Sequence, residues 1–411
     1  MGKLKRSDKA EESIMSDTAE SEDQEREQVD FASAALPGAA FHSLTARYRG
    51  QSPVVPVTFL GQPAFYFTSY QAVEAAFRDG ESFPAHTWYQ LASEPVMGRT
   101  FIAMPPREHR IYRKLATPAF RSRAVAGHDD AHYRRILHEL IDVFAAQREA
   151  DLVAQLTRSF PLIMISRMLG LPMTREDDFK RWALSLLNFI HDAEEGLGAA
   201  AEIGAFLKPL IEERRRNPRE DVLSELVMAE VEGSRLSDEE IISHVRLLFP
   251  TGADTTYLAL GNLIYALLTQ EDAWDRVKSE PALRNGAIEE LLRWEPPAGI
   301  IARLSCDCDI EFFGHTIPAS SVVLFGVDAA NRDPAVFSDP DRFDIQRKTE
   351  KLMTFGPGPR ACPGMHLARQ ELRVALDVLV ERLPDLRLLD LDAAQPRGTM
   401  LRGPTALQVA F

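Results

Sequence analysis

One cysteine set in a run of glycine and proline, with an amphipathic segment directly behind it, limits this chain more than any other stretch. The run is Phe355-Gly356-Pro357-Gly358-Pro359-Arg360-Ala361-Cys362-Pro363-Gly364, and Met365, Leu367, Ala368, Leu372, Ala375, Leu376, Val378 and Leu379 follow it. Glycine reaches backbone conformations closed to other residues and proline fixes φ, so the run reads as a rigid loop whose N–H groups can face the sulfur. Pro363 suits the first turn of a helix, which predicts Cys362 at a helix N-terminus, where the dipole and free N–H groups stabilise a thiolate. Such a thiolate is a nucleophile or a metal ligand; the plain alternative is a buried cysteine beside a tight turn.

The 411 residues are enough for a large core, and about 150 residues per domain would give two or three domains. No linker divides the chain after residue 30, so one large domain also fits. A net charge of −14 argues against nucleic acid as a partner. Three cysteines make no disulfide framework and suit a reducing cytoplasm. Cys306 and Cys308 lie in a strand-like stretch without a second pair, so a structural role is expected rather than a metal site. Residues 1–30 are rich in Glu, Asp and Ser and read as a disordered acidic tail. No long apolar run suggests a signal peptide or membrane anchor.

Val54–Phe59 and Ala64–Phe67 flank Gly61-Gln62 as a hairpin, and a helix is predicted over about Tyr70–Arg78. Residues 81–104 show no clean periodicity and read as a long loop, whose many large apolar groups suit a lid on the core or a wall of a ligand pocket. Pro105-Pro106 opens a helix on which His109 and Arg113 share a face. Segments 128–149, 153–170, 174–191, 198–215 and 218–230 carry helical spacing, so the chain is mainly α with small β-sheets. Ser237 and Glu240 form a capping box at the start of a helix running to about Gln270. Pro250 and Gly252 predict a kink in that helix, with room beside it for a small ligand or water. Asp254 and Thr255 within it are costly unless used; the plain reading is a back-bonded threonine bend.

Phe-Gly-x-Gly-x-Arg-x-Cys-x-Gly resembles the haem-binding loop of the cytochrome P-450 family. The segment Pro105–Arg113 is similar to that family's C-helix, although Met104 replaces the usual Asp. Thr251-Gly252-Ala253-Asp254-Thr255-Thr256 resembles its oxygen-binding motif, with Thr251 where Ala or Gly is usual. Glu290-Leu291-Leu292-Arg293 resembles its E-x-x-R lock, whose third member by position is Arg342. The motifs stand in family order from about residue 50 to the C-terminus.

The resemblance implies one haem domain over residues 31–411, a triangular helical prism enclosing haem b. Cys362 is then the axial iron ligand, Phe355 packs near ring and sulfur, and His109, Arg113, Arg303 and Arg360 bind propionates. Asp254 and Thr255 deliver protons to O₂. Trp88, Tyr89, Leu247, Thr251, Gly299, Ile301 and Met400 suggest a pocket for an apolar small molecule of moderate size. The implied activity is that of a soluble bacterial-type monooxygenase, a cytoplasmic monomer that inserts one oxygen atom from O₂. Electrons come from a separate ferredoxin and ferredoxin reductase, because the chain has no flavin or iron–sulfur module. Arg107, Arg110, Arg113, Lys114, Arg121 and Arg123 form a candidate docking patch for an acidic ferredoxin; a solvated helix face is the plain alternative. The competing readings are a peroxide-driven oxidase in the same fold and a haem-binding sensor or ligand carrier. The Asp254-Thr255 pair speaks against both: the resemblance implies that members using peroxide directly lack such a pair, and a carrier need not deliver protons.

Overall fold

The longest element, Asp238–Thr269, runs through the middle of the computed structural model, which describes residues 29–172 and 175–411. Residues 1–28, most of the expected acidic tail, lie outside the described residues. Ser237 Oγ accepts from the Glu240 N–H while the Glu240 carboxylate accepts from the Ser237 N–H, so the capping box starts this helix as expected. Buried apolar residues occur all round it, including Ile241, Leu247, Phe249, Leu260 and Ile264. A helix apolar on every side belongs in an interior, and this one contacts helices Ser159–Met168, Glu176–Leu187, Ala193–Arg216, Arg284–Trp294 and Met365–Arg382.

Pro250 takes away one helical N–H, yet the helix is not interrupted there. The hydroxyls of Thr251, Thr255 and Thr256 donate to the carbonyls of Leu247, Thr251 and Gly252, at 2.6, 3.1 and 3.1 Å. The back-bonded arrangement is therefore the one present. On the side where a Cβ would project, Gly252 has no open notch: that atom would lie 3.2 Å from the Ile165 side chain. The glycine there admits close approach of the helix Ser159–Met168.

Short strands pack at the edge of this helical body. The four-stranded sheet has the order Val54–Phe59, Gln62–Phe67, Val322–Gly326, Ile300–Leu304. Its first two strands form the expected hairpin, whose turn residues Leu60 and Gly61 both have positive φ (52° and 69°). The last two are antiparallel and place Arg303 opposite Val323. Residues 81–104 are not the irregular loop expected: they form helices Ala85–Ala92 and Glu94–Met97 and a 3₁₀ turn, Phe101–Ala103. One or two turns are too short to display a 3.6-residue period.

Glu290 and Arg293 are both completely buried, and Arg293 donates to both carboxylate oxygens at 2.9 and 2.7 Å. It also donates to the carbonyls of Asn331, Pro340 and Arg342. Arg342 is not the third side chain of this lock; it offers only that carbonyl, at 3.2 Å, and is exposed. The second cation on Glu290 is Arg347, whose Nε lies 3.1 Å from Oε1. The chain between Ser338 and Arg347 turns back on itself, with Arg347 donating to the carbonyls of Ser338, Asp339 and Arg342, and that return brings the later arginine inward.

Candidate active site

The cysteine loop is closed by its own backbone. The Cys362 N–H donates to the Phe355 carbonyl at 2.7 Å, and Gly356 and Gly358 hold φ of 67° and 84°, which glycine adopts without strain. The helix that follows is Met365–Arg382 with Gly364 as N-cap. Cys362 therefore sits two residues ahead of the cap, not within the first turn, because Pro363-Gly364 form a turn of their own. Burial pushes the Cys362 thiol up, opposed by the Gly364 N–H and then by Arg113 and Arg369. A thiol so placed loses its proton when a cation takes the sulfur.

Cys362 opens on a cavity of about 770 Å³ that is also lined by His109, Arg113, Arg303 and Arg360. The helix Pro106–Ala116 supplies the first two, one turn apart. Arg303 comes from the strand Ile300–Leu304 and Arg360 from the cysteine loop. Among the described residues, no carboxylate forms an ion pair with any of these arginines. Arg113 donates to the Ala361 carbonyl at 2.6 Å, and Arg360 to the carbonyls of Ile102 and Met104 at 3.2 and 2.7 Å. Arg303 donates to the Tyr89 hydroxyl at 3.1 Å, with its guanidinium 4.9 Å from that ring. Burial lowers both Arg113 and Arg360, and for Arg360 the Arg303 charge adds to it. Burial, with Arg360 and Arg113 beside it, pushes His109 down to about 4. Thus three fixed cations and a neutral imidazole converge without an anion from the protein, an arrangement suited to carboxylates of a bound group.

Asp254 and Thr255 do not line this cavity. Asp254 is surrounded by protein but still reached by solvent; burial pushes it up to about 6, and the Arg158 charge partly offsets that. Arg158 lies 5.5 Å from the Tyr257 ring, one turn along the helix from Asp254. Neither Arg158 nor Tyr257 is marked by any local sequence pattern. Phe355 also stays outside the cavity lining, its ring 4.6 Å from the Arg369 guanidinium, which holds Glu289 bidentately.

The seven residues expected to face substrate are not gathered around the cavity. Trp88 packs edge-on to Phe59 and Met400 joins that same core cluster, whereas Ile301 and Leu247 belong to two other clusters. A Cβ on Gly299 would meet the Arg402 side chain and the Thr399 carbonyl, both at 3.0 Å. Thr251 turns its hydroxyl to Leu247, and Tyr89 serves Arg303. The walls instead include Phe77, Phe83, His86, Phe120 and Phe325. These are ordinary apolar and polar positions in sequence, and only packing brings them together.

The family model described as Cytochrome P450 matches residues 164–384. The chain is 35% identical over 394 residues to the mycinamicin IV hydroxylase/epoxidase of Micromonospora griseorubida, covering 92% of this chain and 98% of that protein. It is 34% identical over 352 residues to a steroid C26-monooxygenase of Mycobacterium tuberculosis, covering 84% and 94% of the two chains. The crystal structure of cytochrome P450 CYP109Q5 from Chondromyces apiculatus superposes with a TM-score of 0.82 at 32% identity, over 90% of this chain and 94% of that one.

This chain belongs to the cytochrome P450 family. Its members bind haem through a cysteine thiolate, and the chain is a haem-thiolate monooxygenase. The cavity passes the chemical test for such a group. Its volume lies within the roughly 300–1,000 Å³ usual for cofactor and small-molecule sites. It offers a soft donor for iron, aromatic walls for a flat macrocycle and arginines that no carboxylate of the described residues pairs with, for the propionates. None of the described helices is long and apolar enough to cross a membrane.

Proposed function

We propose that residues 31–411 are one haem domain in which Cys362 would bind the iron of haem b and Arg113, Arg303 and Arg360 would hold its propionates. The observation that carries this reading is the convergence of Cys362 with three arginines that no carboxylate of the described residues neutralises. His109 takes up a proton, or donates its N–H, as a propionate arrives, because the anion reverses the depression that burial and the arginines impose. When bound, the haem supplies the redox chemistry that activates O₂.

The protein's own groups do the rest. Asp254, poised near neutrality, exchanges protons with solvent and passes them inward. The Thr255 hydroxyl leaves the Thr251 carbonyl to order a proton-bearing water. The aromatic and aliphatic walls exclude bulk water and admit an apolar substrate of moderate size. The names of the two relatives, a mycinamicin IV hydroxylase/epoxidase and a steroid C26-monooxygenase, support that class. Electrons come from a separate ferredoxin and its reductase in the cytoplasm. Arg107, Arg110, Lys114, Arg121 and Arg123 are exposed on and after the helix that carries Arg113, and this basic surface would attract an acidic carrier.

The reduced, carbon-monoxide-bound difference spectrum tests the core of this reading. The wild type is expected to show the red-shifted Soret band of thiolate-ligated haem. Cys362→Ser is expected to lose it while keeping the wild-type far-UV circular dichroism. An unchanged Soret band in that variant overturns the assignment.

A further inference from the structure

Cys306 and Cys308 are not part of a strand or of the core. They lie in the bend after the strand Ile300–Leu304, with Cys308 exposed and Cys306 half-buried. Their sulfurs are 3.0 Å apart. A disulfide needs them closer by roughly 1 Å, an adjustment within reach of side-chain rotation in an exposed bend. Both ends of the bend are pinned. The Cys306 N–H donates to the Ser82 carbonyl at 2.8 Å, and the Cys306 carbonyl accepts from the Ser320 N–H at 2.7 Å. Asp309 Oδ1 accepts from the Ala319 N–H at 2.9 Å. The pair is thus held with its sulfurs together and turned to solvent. A metal role has no support, because no group of three or more His, Cys, Asp or Glu side chains suited to an ion occurs among the described residues.

We propose that Cys306 and Cys308 form a peroxide-reactive dithiol that closes to an intramolecular disulfide. The oxidant is hydrogen peroxide, the two-electron reduction product of O₂ that a monooxygenase releases whenever turnover misses its substrate. The Cys306 thiolate attacks one peroxide oxygen, the O–O bond breaks, and one water leaves once the departing oxygen is protonated. The sulfenic acid left on Cys306 is then attacked by the Cys308 sulfur. The S–O bond breaks, a second water leaves and the S–S bond forms. Two thiols lose two electrons and two protons, and one peroxide becomes two waters. Cys308 suits the second role because it is the more exposed of the two and is free to turn onto the sulfenic sulfur; its hydrogen bond with Cys306 also holds its thiol up. The site lies three residues past Arg303, and its anchor Ser82 sits between Gly80 and Phe83 of the cavity wall.

The test treats the reduced full-length holoprotein with graded hydrogen peroxide, followed by intact-mass and peptide mass spectrometry. The expected result is a species lighter by two hydrogens, with the loss mapped to the peptide holding both residues and reversed by dithiothreitol. Cys308→Ser should instead accumulate oxygen adducts on Cys306, and Cys306→Ser should form no internal disulfide. Wild-type protein that gains oxygen atoms on the two sulfurs without losing the hydrogens overturns the proposal. So does a disulfide found only between two chains, or a pair still reduced after peroxide has bleached the haem. Because peroxide is added directly, the result stands apart from the assignment of Cys362 as iron ligand.

Discussion

A single carboxyl shows how burial alone can set a group for proton traffic. Among the described residues no carboxylate pushes Asp254; desolvation raises it to about 6, against the opposing pull of Arg158. The unfolded chain ionises this group at an ordinary carboxyl value, so its ionisation costs stability in the native state. The cost is fully present above about pH 7 and fades as pH falls through 6 towards 4, where both states are protonated. Asp254→Asn should therefore stabilise the protein at about pH 8, by on the order of 2 kcal/mol after allowing for its solvent contact, and change little near pH 4. Urea unfolding at the two pH values measures it. In the same variant, proton delivery should slow and more of the electrons consumed should appear as peroxide. The residue types Asp-Thr were legible in sequence. Arg158, whose charge acts on Asp254, was not, because it stands nearly a hundred residues earlier and comes near only through helix packing.

Among the elements, the long helix was read well at its start and less well in its middle. Ser237 and Glu240 announce the cap through spacing alone, and the reciprocal hydrogen bonds are present. Ser237→Ala should cost about 1 kcal/mol, read as a lower midpoint in guanidinium unfolding. The middle depended on what lay opposite. Pro250 and Gly252 signal weakness to any local rule, but three threonine hydroxyls bond back along the helix and Ile165 packs against the glycine. The segment 81–104 was misread as a loop for the converse reason: its helices are too short to have a period, although Phe83, Ala85 and His86 do line the cavity as a pocket wall would.

Across the molecule, a buried ion-pair lock joins the helix Arg284–Trp294 to the loop before the cysteine segment. Glu290 and Arg293 are both fully buried, and Glu290 also accepts from Arg347 and from the Asp344 N–H. Glu290→Gln leaves two guanidinium groups without their anion and should cost about 3–5 kcal/mol. Arg342→Ala should stay within about 0.5 kcal/mol, since only its carbonyl takes part. Thermal unfolding of the two variants separates the structural assignment from the one expected by position. The basic face is a second property of the whole molecule, set against a net charge of −14. Converting Arg107 and Arg110 to Glu should slow reduction by an acidic ferredoxin and flatten its dependence on ionic strength, while reduction by dithionite is unaffected. Stopped-flow reduction over a salt series reads both effects.

Sequence was enough for whatever depends on residues close together along the chain. The cysteine loop, the Asp-Thr pair, the E-x-x-R spacing and the capping box are local patterns, and their chemistry follows from residue type and separation. Tertiary structure decided which distant groups meet. It brought Arg113, Arg303 and Arg360 to one cavity with no carboxylate among them. It placed Arg347 where Arg342 was expected. It also left Trp88, Ile301 and Met400 off the wall of that cavity, packed against buried clusters. The reason is that burial and partner choice are set by the packing of whole helices and strands, and a shift of one turn changes which side chain faces inward.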